Sequence, residues 1–254
     1  VPQFSREHHV AKEPILVLPG VTVVRAWDSG LTPSCVWFQV LSDRTGINIL
    51  GSRTGINMGM AQLIVNEVIP FQEKYGLVRI RRGTAFGRGS RAGFDFDDIC
   101  DPAMKVGDQS NSENTVKRVI ENMLNTSVRL GPVAWSARRE ALHSAFGRKM
   151  DRSRMFVQID PEENDMLITS LDGRAHYPVD PRTGRILETI VAAKKASGIW
   201  LQSLDALAYG LAVLFPAEEW LKAALAPPAP SPAMRPARTG LGREKMELDM
   251  TRDM

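Results

Sequence analysis

The chain has 254 residues, of which 43% are hydrophobic and 24% charged, with 32 lysines and arginines against 29 aspartates and glutamates. This apolar fraction can form the core of one large or two small domains, which argues against a wholly disordered chain. Two cysteines, Cys35 and Cys100, cannot build a disulfide framework and suit a reducing compartment. A net charge of +3 does not by itself indicate a nucleic-acid partner.

The apolar pattern predicts strands and helices along most of the chain. A linker is expected at residues 1–20, then strands at 21–26, 35–41 and 47–50, and a helix at 58–75 that Pro70 should kink. Further on we expect strands at 77–80, 94–101 and 155–159 and helices at 112–124 and 136–146. Ser110 and Glu113 have the spacing of a capping box for the first of these two helices. A hairpin is predicted from residues 166–179 and 186–191.

The last predicted elements are a helix at 199–215, a short helix to about residue 224, and a Pro/Ala-rich linker with a disordered tail at 226–254. Strands followed by alternating helices and strands indicate a mixed α/β domain over residues 21–225. We expect no signal peptide, because the first residues are polar, and no membrane span, because 199–215 is short and contains Asp205. These patterns favour a soluble intracellular protein.

Three aspartates occur where a carboxylate is costly to bury. Asp28 and Asp101 lie at the ends of predicted strands, and Asp205 is the only charged residue in the helix predicted at 199–215. A buried carboxylate costs several kcal/mol unless a positive group meets it. Convergent carboxylates are the hard oxygen ligands that Mg²⁺ prefers, and a pair of such ions can promote phosphodiester hydrolysis.

Several segments resemble the C-terminal nuclease domain of bacteriophage large terminase subunits. They are RAWDSGLTPSCVWFQV at 25–40, CDPAM at 100–104 and KKASGIWLQSLDALAYG at 194–210, with matching segments in between at 138–142 and 156–180. The resemblance covers about residues 20–215 in the right order. It implies an RNase H-like fold, a mixed sheet flanked by helices with an inserted β-hairpin, and it implies that Asp28, Asp101 and Asp205 are catalytic acids that bind two Mg²⁺ or Mn²⁺ ions.

The chain departs from that family at two places. Leu201-Gln202 stands where family members often have a Ser-His pair, and the segment before Asp101 contains the extra acids Asp97 and Asp98. Strand alternation places Asp97 on the same side as Asp101 and Asp98 on the other. We interpret both as a solvated acidic edge, and a share in metal binding stays open for either.

Basic residues suggest where a DNA backbone would lie. An Arg/Gly-rich segment before the second acid can approach phosphates without base readout, although a plain solvated loop is an equal alternative. Lysines ahead of the third acid could neutralise developing phosphate charge, or could simply lie on the surface. The candidate DNA contacts are Arg79, Arg81, Arg82, Arg88, Arg91, Arg174, Arg182 and Arg185, and the candidate catalytic lysines are Lys194 and Lys195.

The resemblance implies a metal-dependent endonuclease that cuts double-stranded, concatemeric viral DNA during genome packaging with little sequence specificity. It also implies an N-terminal packaging ATPase outside this chain, a small terminase subunit and a portal protein as partners. The expected location is the host bacterial cytoplasm, with transient docking on the viral procapsid. Two alternatives stay open: another RNase H-like nuclease, of the Holliday-junction resolvase or transposase type, and a non-catalytic DNA- or portal-docking module.

Overall fold

A six-stranded mixed sheet forms the centre of the protein. The structure, a computed structural model, describes residues 1–30, 32–77, 93–105, 115–151, 154–176, 178–185 and 197–216. The order of the strands across the sheet is β5-β4-β1-β2-β3-β6. The strands are β1 (Val23–Asp28), β2 (Ser34–Val40), β3 (Ile47–Thr54), β4 (Phe96–Cys100), β5 (Val128–Leu130) and β6 (Val157–Ile159).

The sheet joins an antiparallel meander to parallel strands on both sides. β1 pairs antiparallel with β2, and β2 pairs antiparallel with β3. β4 runs parallel to β1, β5 runs parallel to β4, and β6 runs parallel to β3. Because β1 and β4 are parallel neighbours, their carboxyl ends meet at one edge of the sheet. This is the predicted RNase H-like arrangement, extended by β6 beyond the meander.

Helices cover both faces of this sheet. None of the helices in the described ranges is long and apolar enough to cross a membrane. The helices are α1 (Arg6–His9), α2 (Met60–Leu63), α3 (Ile69–Lys74), α4 (Val116–Leu124), α5 (Trp135–Gly147), α6 (Asp165–Thr169) and α7 (Gln202–Leu214).

Two hydrophobic cores lie on opposite sides of the sheet. One contains side chains of α5, α6 and α7, and the other contains side chains of α2, α3 and α4. The central strand β1 contributes to both, since Val24 and Ala26 face the first core while Val23 and Trp27 face the second. All six residues of β1 are buried, as expected of a strand covered on both faces.

The helix predicted at 58–75 is present over residues 60–74, but it is not regular. A π-helical turn, Ile64–Val68, joins α2 to α3. Pro70 is the second residue of α3 and has no backbone N–H to donate to the preceding turn, so the wider turn accommodates it without breaking the helix. The predicted disturbance at Pro70 is therefore found as a π turn.

Most other predicted elements overlap an observed one within a few residues. This holds for the strands predicted at 21–26, 35–41, 47–50, 94–101 and 155–159 and for the helices predicted at 112–124, 136–146 and 199–215. The capping box does not begin α4, because the helix starts later and the Thr115 hydroxyl accepts from the backbone N–H of Arg118. Ser110 and Glu113 lie outside the described residues, as does most of the strand predicted at 77–80.

The first strand of the predicted hairpin is wrong over most of its length. The segment forms α6 and then a π turn, Ser170–Arg174, because Leu167, Ile168 and Leu171 all face the core at helical spacing. The turn of the hairpin is present, since the backbone N–H of Asp180 donates to the carbonyl oxygen of Arg185 at 2.8 Å. The second strand, predicted at 186–191, lies outside the described residues.

The N-terminal segment packs against the domain. His9 is buried, and its Nε2 lies 2.9 Å from the carbonyl oxygen of Phe146 at the end of α5. The backbone N–H of Ile15 donates to the Asp160 carboxylate beyond β6. The part of residues 1–20 that makes these contacts is thus attached to the α/β domain at two points.

Candidate active site

The first two acids leave the sheet side by side. β1 pairs with β4 so that Trp27 lies opposite Cys100, and each of these residues is followed by an aspartate. The backbone N–H of Asp101 donates to the carbonyl oxygen of Trp27 at 3.2 Å, which continues the ladder by one step. Asp28 is fully buried and Asp101 is 9% exposed. Parallel pairing therefore brings both carboxylates to the same edge.

A short turn fixes the backbone around Asp101. The residues after it form a 3-10 turn, Pro102–Lys105, and proline is well suited to a first helical position because it needs no N–H partner there. The Asp101 carboxylate accepts from the backbone N–H of Ala103 at 2.9 Å, and its carbonyl oxygen accepts from Met104. The Asp-Pro-Ala-Met sequence therefore caps its own turn through the acid.

The third acid reaches the same edge from above the sheet. Asp205 lies in the first turn of α7 and is fully buried. Ten residues later Phe215 packs edge-on against Phe156, which precedes β6 at the opposite end of the sheet. α7 therefore runs antiparallel to β1, and its amino-terminal end lies over the carboxyl end of that strand.

A glycine allows α7 to approach the sheet closely. A Cβ atom at Gly210 would lie 2.9 Å from the Cβ of Ala26 and 2.9 Å from the Phe38 ring. From this contact, five helical residues span about 7.5 Å and two strand residues span about 6.6 Å. Asp205 and Asp28 consequently reach a similar height above the carboxyl edge of the sheet.

Tyr209 lies close enough to all three acids for their charges to affect its pKa. Burial raises the pKa of its phenol, and the negative charges of Asp205, Asp101 and Asp28 raise it further, while Arg138 acts in the opposite direction. One side chain therefore lies within electrostatic reach of all three carboxylates. Since its pKa is raised, the phenol remains neutral and can still donate a hydrogen bond.

Arg138 of α5 completes the site, and the sequence interpretation missed it. Its guanidinium forms an ion pair with Asp205, and both side chains are almost fully buried, at 5% and 0% exposure. It also lies 4.2 Å from the ring centroid of Tyr209 and 5.1 Å from that of Trp135. A signal was present, because apolar residues follow Arg138 on one face of the helix, at Ala141, Leu142 and Ala145.

The chemistry of the acids fits a divalent cation, although the side chains do not form a ready chelate. Carboxylate oxygens are the ligands that Mg²⁺ and Mn²⁺ prefer. Within the described ranges, no three His, Cys, Asp or Glu side chains are grouped closely enough to hold a metal ion. The site brings acids of the right type to one edge, with Arg138 as a positive partner of Asp205.

The extra acids before Asp101 differ from each other. Asp98 is fully buried on the opposite side of the strand, where it accepts from Arg25 Nε at 2.8 Å, Trp27 Nε1 at 2.8 Å and the Thr126 hydroxyl at 2.6 Å. The interpretation of Asp98 as a solvated acid is therefore wrong. Asp97 is half-buried and forms an ion pair with the exposed Arg129. Both acids are engaged in structural contacts.

The predicted basic contacts are only partly described. The candidates Arg79, Arg81, Arg82, Arg88, Arg91, Lys194 and Lys195 lie outside the described residues. Arg174 is exposed at the end of the π turn, and Arg182 and Arg185 are exposed in the turn after Asp180. These three remain predicted contacts.

A second basic surface, formed by the turn after β4 and the start of α4, was not predicted. A cleft of about 420 Å³ is lined by Lys105, Thr115, Lys117, Arg118, Glu121 and Leu130. Three of these six side chains are cationic, and Lys105 follows Asp101 by four residues. Lys117 forms an ion pair with Glu121 at 2.6 Å, which leaves the cleft with an excess of positive charge. We refer to it as the basic cleft.

Comparisons with solved structures agree with this fold. A large terminase from a thermophilic bacteriophage aligns with a TM-score of 0.52 and 11% identity over 84% of this chain and 44% of that protein. A structure of the same terminase with ATP-γ-S aligns with a TM-score of 0.51 and 10% identity over 83% of this chain and 44% of that protein. The nuclease domain of the bacteriophage SPP1 large terminase, solved with bound Mn, aligns with a lower TM-score of 0.40 and 10% identity, over 76% of this chain and 95% of that domain.

The alignment with the terminase of the thermophilic bacteriophage defines a class of fold. The protein has the RNase H-like sheet with flanking helices, and this fold is shared with the large terminase of the thermophilic bacteriophage, which confirms the predicted resemblance at the level of structure. The chain spans about 44% of the length of that terminase. No family model matches the sequence, and no curated protein matches it significantly.

Proposed function

We propose that the chain is a terminase-type nuclease domain, an endonuclease that depends on Mg²⁺ or Mn²⁺ and cuts double-stranded DNA with little sequence specificity. The observation that carries this proposal is the arrangement of Asp28, Asp101 and Asp205 around Tyr209 at one edge of an RNase H-like sheet. Two buried strand-end carboxylates and one on a core helix are an expensive arrangement for a purely structural site. The fold shared with a terminase supports the same assignment.

The three acids would provide the oxygen ligands of the cations. Bound there, two divalent ions would supply Lewis-acid stabilisation of a phosphodiester in hydrolysis. The short turn after β4 fixes the Asp101 carboxylate through the backbone N–H of Ala103, and the rigid ladder fixes Asp28. Burial keeps Tyr209 protonated, so that its hydroxyl can donate to a carboxylate oxygen without adding negative charge.

The DNA backbone would follow the positive groups around this edge. The basic cleft includes Lys105 from the turn after β4 and residues of α4. Lysine and arginine contacts to phosphates give affinity without sequence readout, which suits an enzyme that cuts at many sequences. The predicted contacts Arg174, Arg182 and Arg185 are exposed and would extend such a surface. Lys194 or Lys195 would supply charge near the third acid.

The alignment with the terminase also suggests where this domain acts within a larger protein. The large terminase of the thermophilic bacteriophage was solved with ATP-γ-S and with ADP, and this chain spans less than half of that protein. We infer that the domain acts beside an ATPase domain of a DNA-packaging motor. A small terminase subunit and a portal protein would be its partners, in the host cytoplasm and transiently at the viral procapsid.

The direct test is cleavage of supercoiled plasmid by the 254-residue chain, with and without Mn²⁺. We expect nicking and linearisation with Mn²⁺, and loss of cleavage by at least about 1,000-fold in each of Asp28→Asn, Asp101→Asn and Asp205→Asn, because each removes one metal-binding charge. Asp95→Asn is the matched control, since Asp95 is an exposed acid close to Asp101 in the chain, and it should cut like the wild type.

Three outcomes would contradict the proposal. Full cleavage by the three variants would exclude the acids from the reaction. A strong preference for branched over linear duplex DNA would favour a Holliday-junction resolvase or a transposase-type enzyme. Salt-sensitive DNA binding without turnover in Mn²⁺ would favour a non-catalytic docking module.

A further inference from the structure

Two buried arginine–aspartate pairs lie on opposite sides of the sheet, and they are built differently. In the first, Arg25 donates through Nε and through a terminal nitrogen to the two oxygens of Asp98, at 2.8 and 2.6 Å. Trp27 and Thr126 donate to the same carboxylate. This bidentate and fully satisfied pair has the geometry of a permanent structural contact.

In the second pair, Arg138 donates to Asp205 through one terminal nitrogen only. Its Nε is buried and makes no hydrogen bond to any residue that the structure describes. A buried donor without a hydrogen bond is unfavourable, and this pair has fewer hydrogen bonds to hold it than the pair of Arg25 and Asp98. The guanidinium is therefore in contact with the acid, but it lacks the two parallel hydrogen bonds that hold Arg25 on Asp98.

The surroundings of Arg138 give its charge a second source of stabilisation. The Tyr209 ring centroid lies 4.2 Å from the guanidinium carbon and the Trp135 ring centroid lies 5.1 Å away. Cation–π contacts of this kind are attractive, and more strongly so when water is excluded. The guanidinium can remain between these rings after it separates from Asp205.

We propose that Arg138 is an exchangeable internal counter-ion that competes with the divalent cation for Asp205. In the arrangement described here Arg138 neutralises the acid, and the acids do not form a chelating group. Cation binding requires Asp205 to release Arg138, which moves off the carboxylate while staying against Tyr209 and Trp135. This inference rests on the proposed function, because it takes Asp205 to be a ligand of the cation.

The competition has a thermodynamic consequence. Arg138 stabilises the metal-free protein by compensating a buried charge, and the same ion pair must be broken before the cation can use that charge. The affinity for the cation is then lower than the acids alone would give. The arginine stabilises the folded protein in the absence of metal, and it sets the metal concentration at which the site fills.

The test is calorimetric titration of Mn²⁺ into the DNA-free chain, together with thermal unfolding over a series of Mn²⁺ concentrations. For Arg138→Gln we expect a lower unfolding temperature without metal, a Kd for Mn²⁺ about tenfold tighter than wild type, and a larger rise of the unfolding temperature with Mn²⁺. Arg138→Lys keeps the charge but pairs less strongly with Asp205, and its Kd for Mn²⁺ should lie between those of wild type and Arg138→Gln. Arg139→Gln removes the same charge one residue further along α5 and should leave the Kd unchanged.

A Kd for Mn²⁺ that is equal or weaker in Arg138→Gln than in wild type would overturn the competition. If Arg138→Gln is unfolded without metal, refolding on addition of Mn²⁺ supports the proposal and failure to refold contradicts it. Asp205→Asn separates this result from a failure of the proposed function. Mn²⁺ binding that is insensitive to Asp205→Asn would mean that the acid is not a ligand, whereas binding abolished in Asp205→Asn but unchanged in Arg138→Gln would remove only the role of Arg138.

Discussion

The backbone N–H of Asp101 donates to the carbonyl oxygen of Trp27, one step beyond the last regular pair of β1 and β4. This single hydrogen bond continues the parallel register to the point where the two strands end in acids. A shift of one residue in either strand would turn one of these carboxylates to the opposite face of the sheet. The site therefore depends on the register of the central strand pair.

The pair of Arg25 and Asp98 should carry much of the stability of this register. Asp98→Asn leaves Arg25 as a buried charge without its counter-ion, and we expect a loss of about 3–5 kcal/mol in the free energy of unfolding. Asp97→Asn is the control on the same strand, where the partner Arg129 is exposed, and should lose less than about 1 kcal/mol. Urea unfolding monitored by tryptophan fluorescence measures both, and equal losses would contradict the distinction.

Two helical glycines should respond in opposite ways to alanine. Gly210→Ala places a methyl group against Ala26 and Phe38 in the core, and we expect a loss of about 1–3 kcal/mol in the free energy of unfolding. At Gly147, the last residue of α5, the new Cβ would meet only Gln3 at an ordinary 3.5 Å. Gly147→Ala should be neutral or gain up to about 1 kcal/mol, because alanine favours the helix. Thermal unfolding of both variants compares them, and an unchanged Gly210→Ala would disprove the tight contact.

Glu163 should make stability depend on acidic pH. Burial alone would raise the pKa of this carboxyl, but hydrogen bonds from Lys74, Tyr75 and Arg53 outweigh it and lower the pKa to about 2. A lowered pKa means that the contribution is complete above the unfolded-state value, near 4.5, and is lost as the pH falls toward 2. Relative to Glu163→Gln, wild type should be more stable by about 1–2 kcal/mol at pH 7, since the exposed Lys74 is partly screened.

The measurement is urea unfolding of wild type and Glu163→Gln between pH 7 and pH 2. The difference in the free energy of unfolding should stay constant down to about pH 5 and then shrink with falling pH. A difference that grows on acidification would show that folding raises the pKa of this carboxyl, which would contradict the hydrogen-bonded arrangement described here.

The basic cleft predicts a defined change in DNA affinity. Replacing Lys105 and Arg118 together by glutamine should weaken binding to linear duplex DNA, and should reduce the slope of log affinity against log salt by about 2, one for each phosphate that the variant no longer neutralises. Lys12→Gln is the control. This exposed lysine lies near β6, the edge strand on the side of the sheet away from β4 and β5. Fluorescence anisotropy at several salt concentrations gives both slopes, and an unchanged slope in the double variant would exclude the cleft from the DNA path.

Some parts of the fold and site could be predicted because local patterns encode them. Asp205 is detectable as the one charge in an apolar helix, and β1 and β2 are detectable as apolar runs bounded by turns. β5 could not be predicted, because it has three residues and exists through pairing with β4. The start of α6 looked like a strand because its apolar residues are dense, and only packing against β3 and α7 decides for a helix.

The roles of Asp98 and Arg138 could not be predicted from the sequence for a different reason. Their meaning depends on partners that are distant along the chain, 73 residues for Arg25 and Asp98 and 67 residues for Arg138 and Asp205. A charged residue on an apolar face can be recognised locally, as Asp205 was. Its partner can be identified only once the sheet and its covering helices are assembled.

The sheet divides the interior into two cores, and most substitutions in one core should not affect the other. The acids around Tyr209 and their arginine lie with the α5, α6 and α7 core, whereas Asp98 lies with the α2, α3 and α4 core. Substitutions more than about 7–10 Å apart with no shared partners combine additively. Substitutions in the α2–α4 half that lie away from Arg25, Asp98 and the basic cleft should therefore combine additively with changes at the acids.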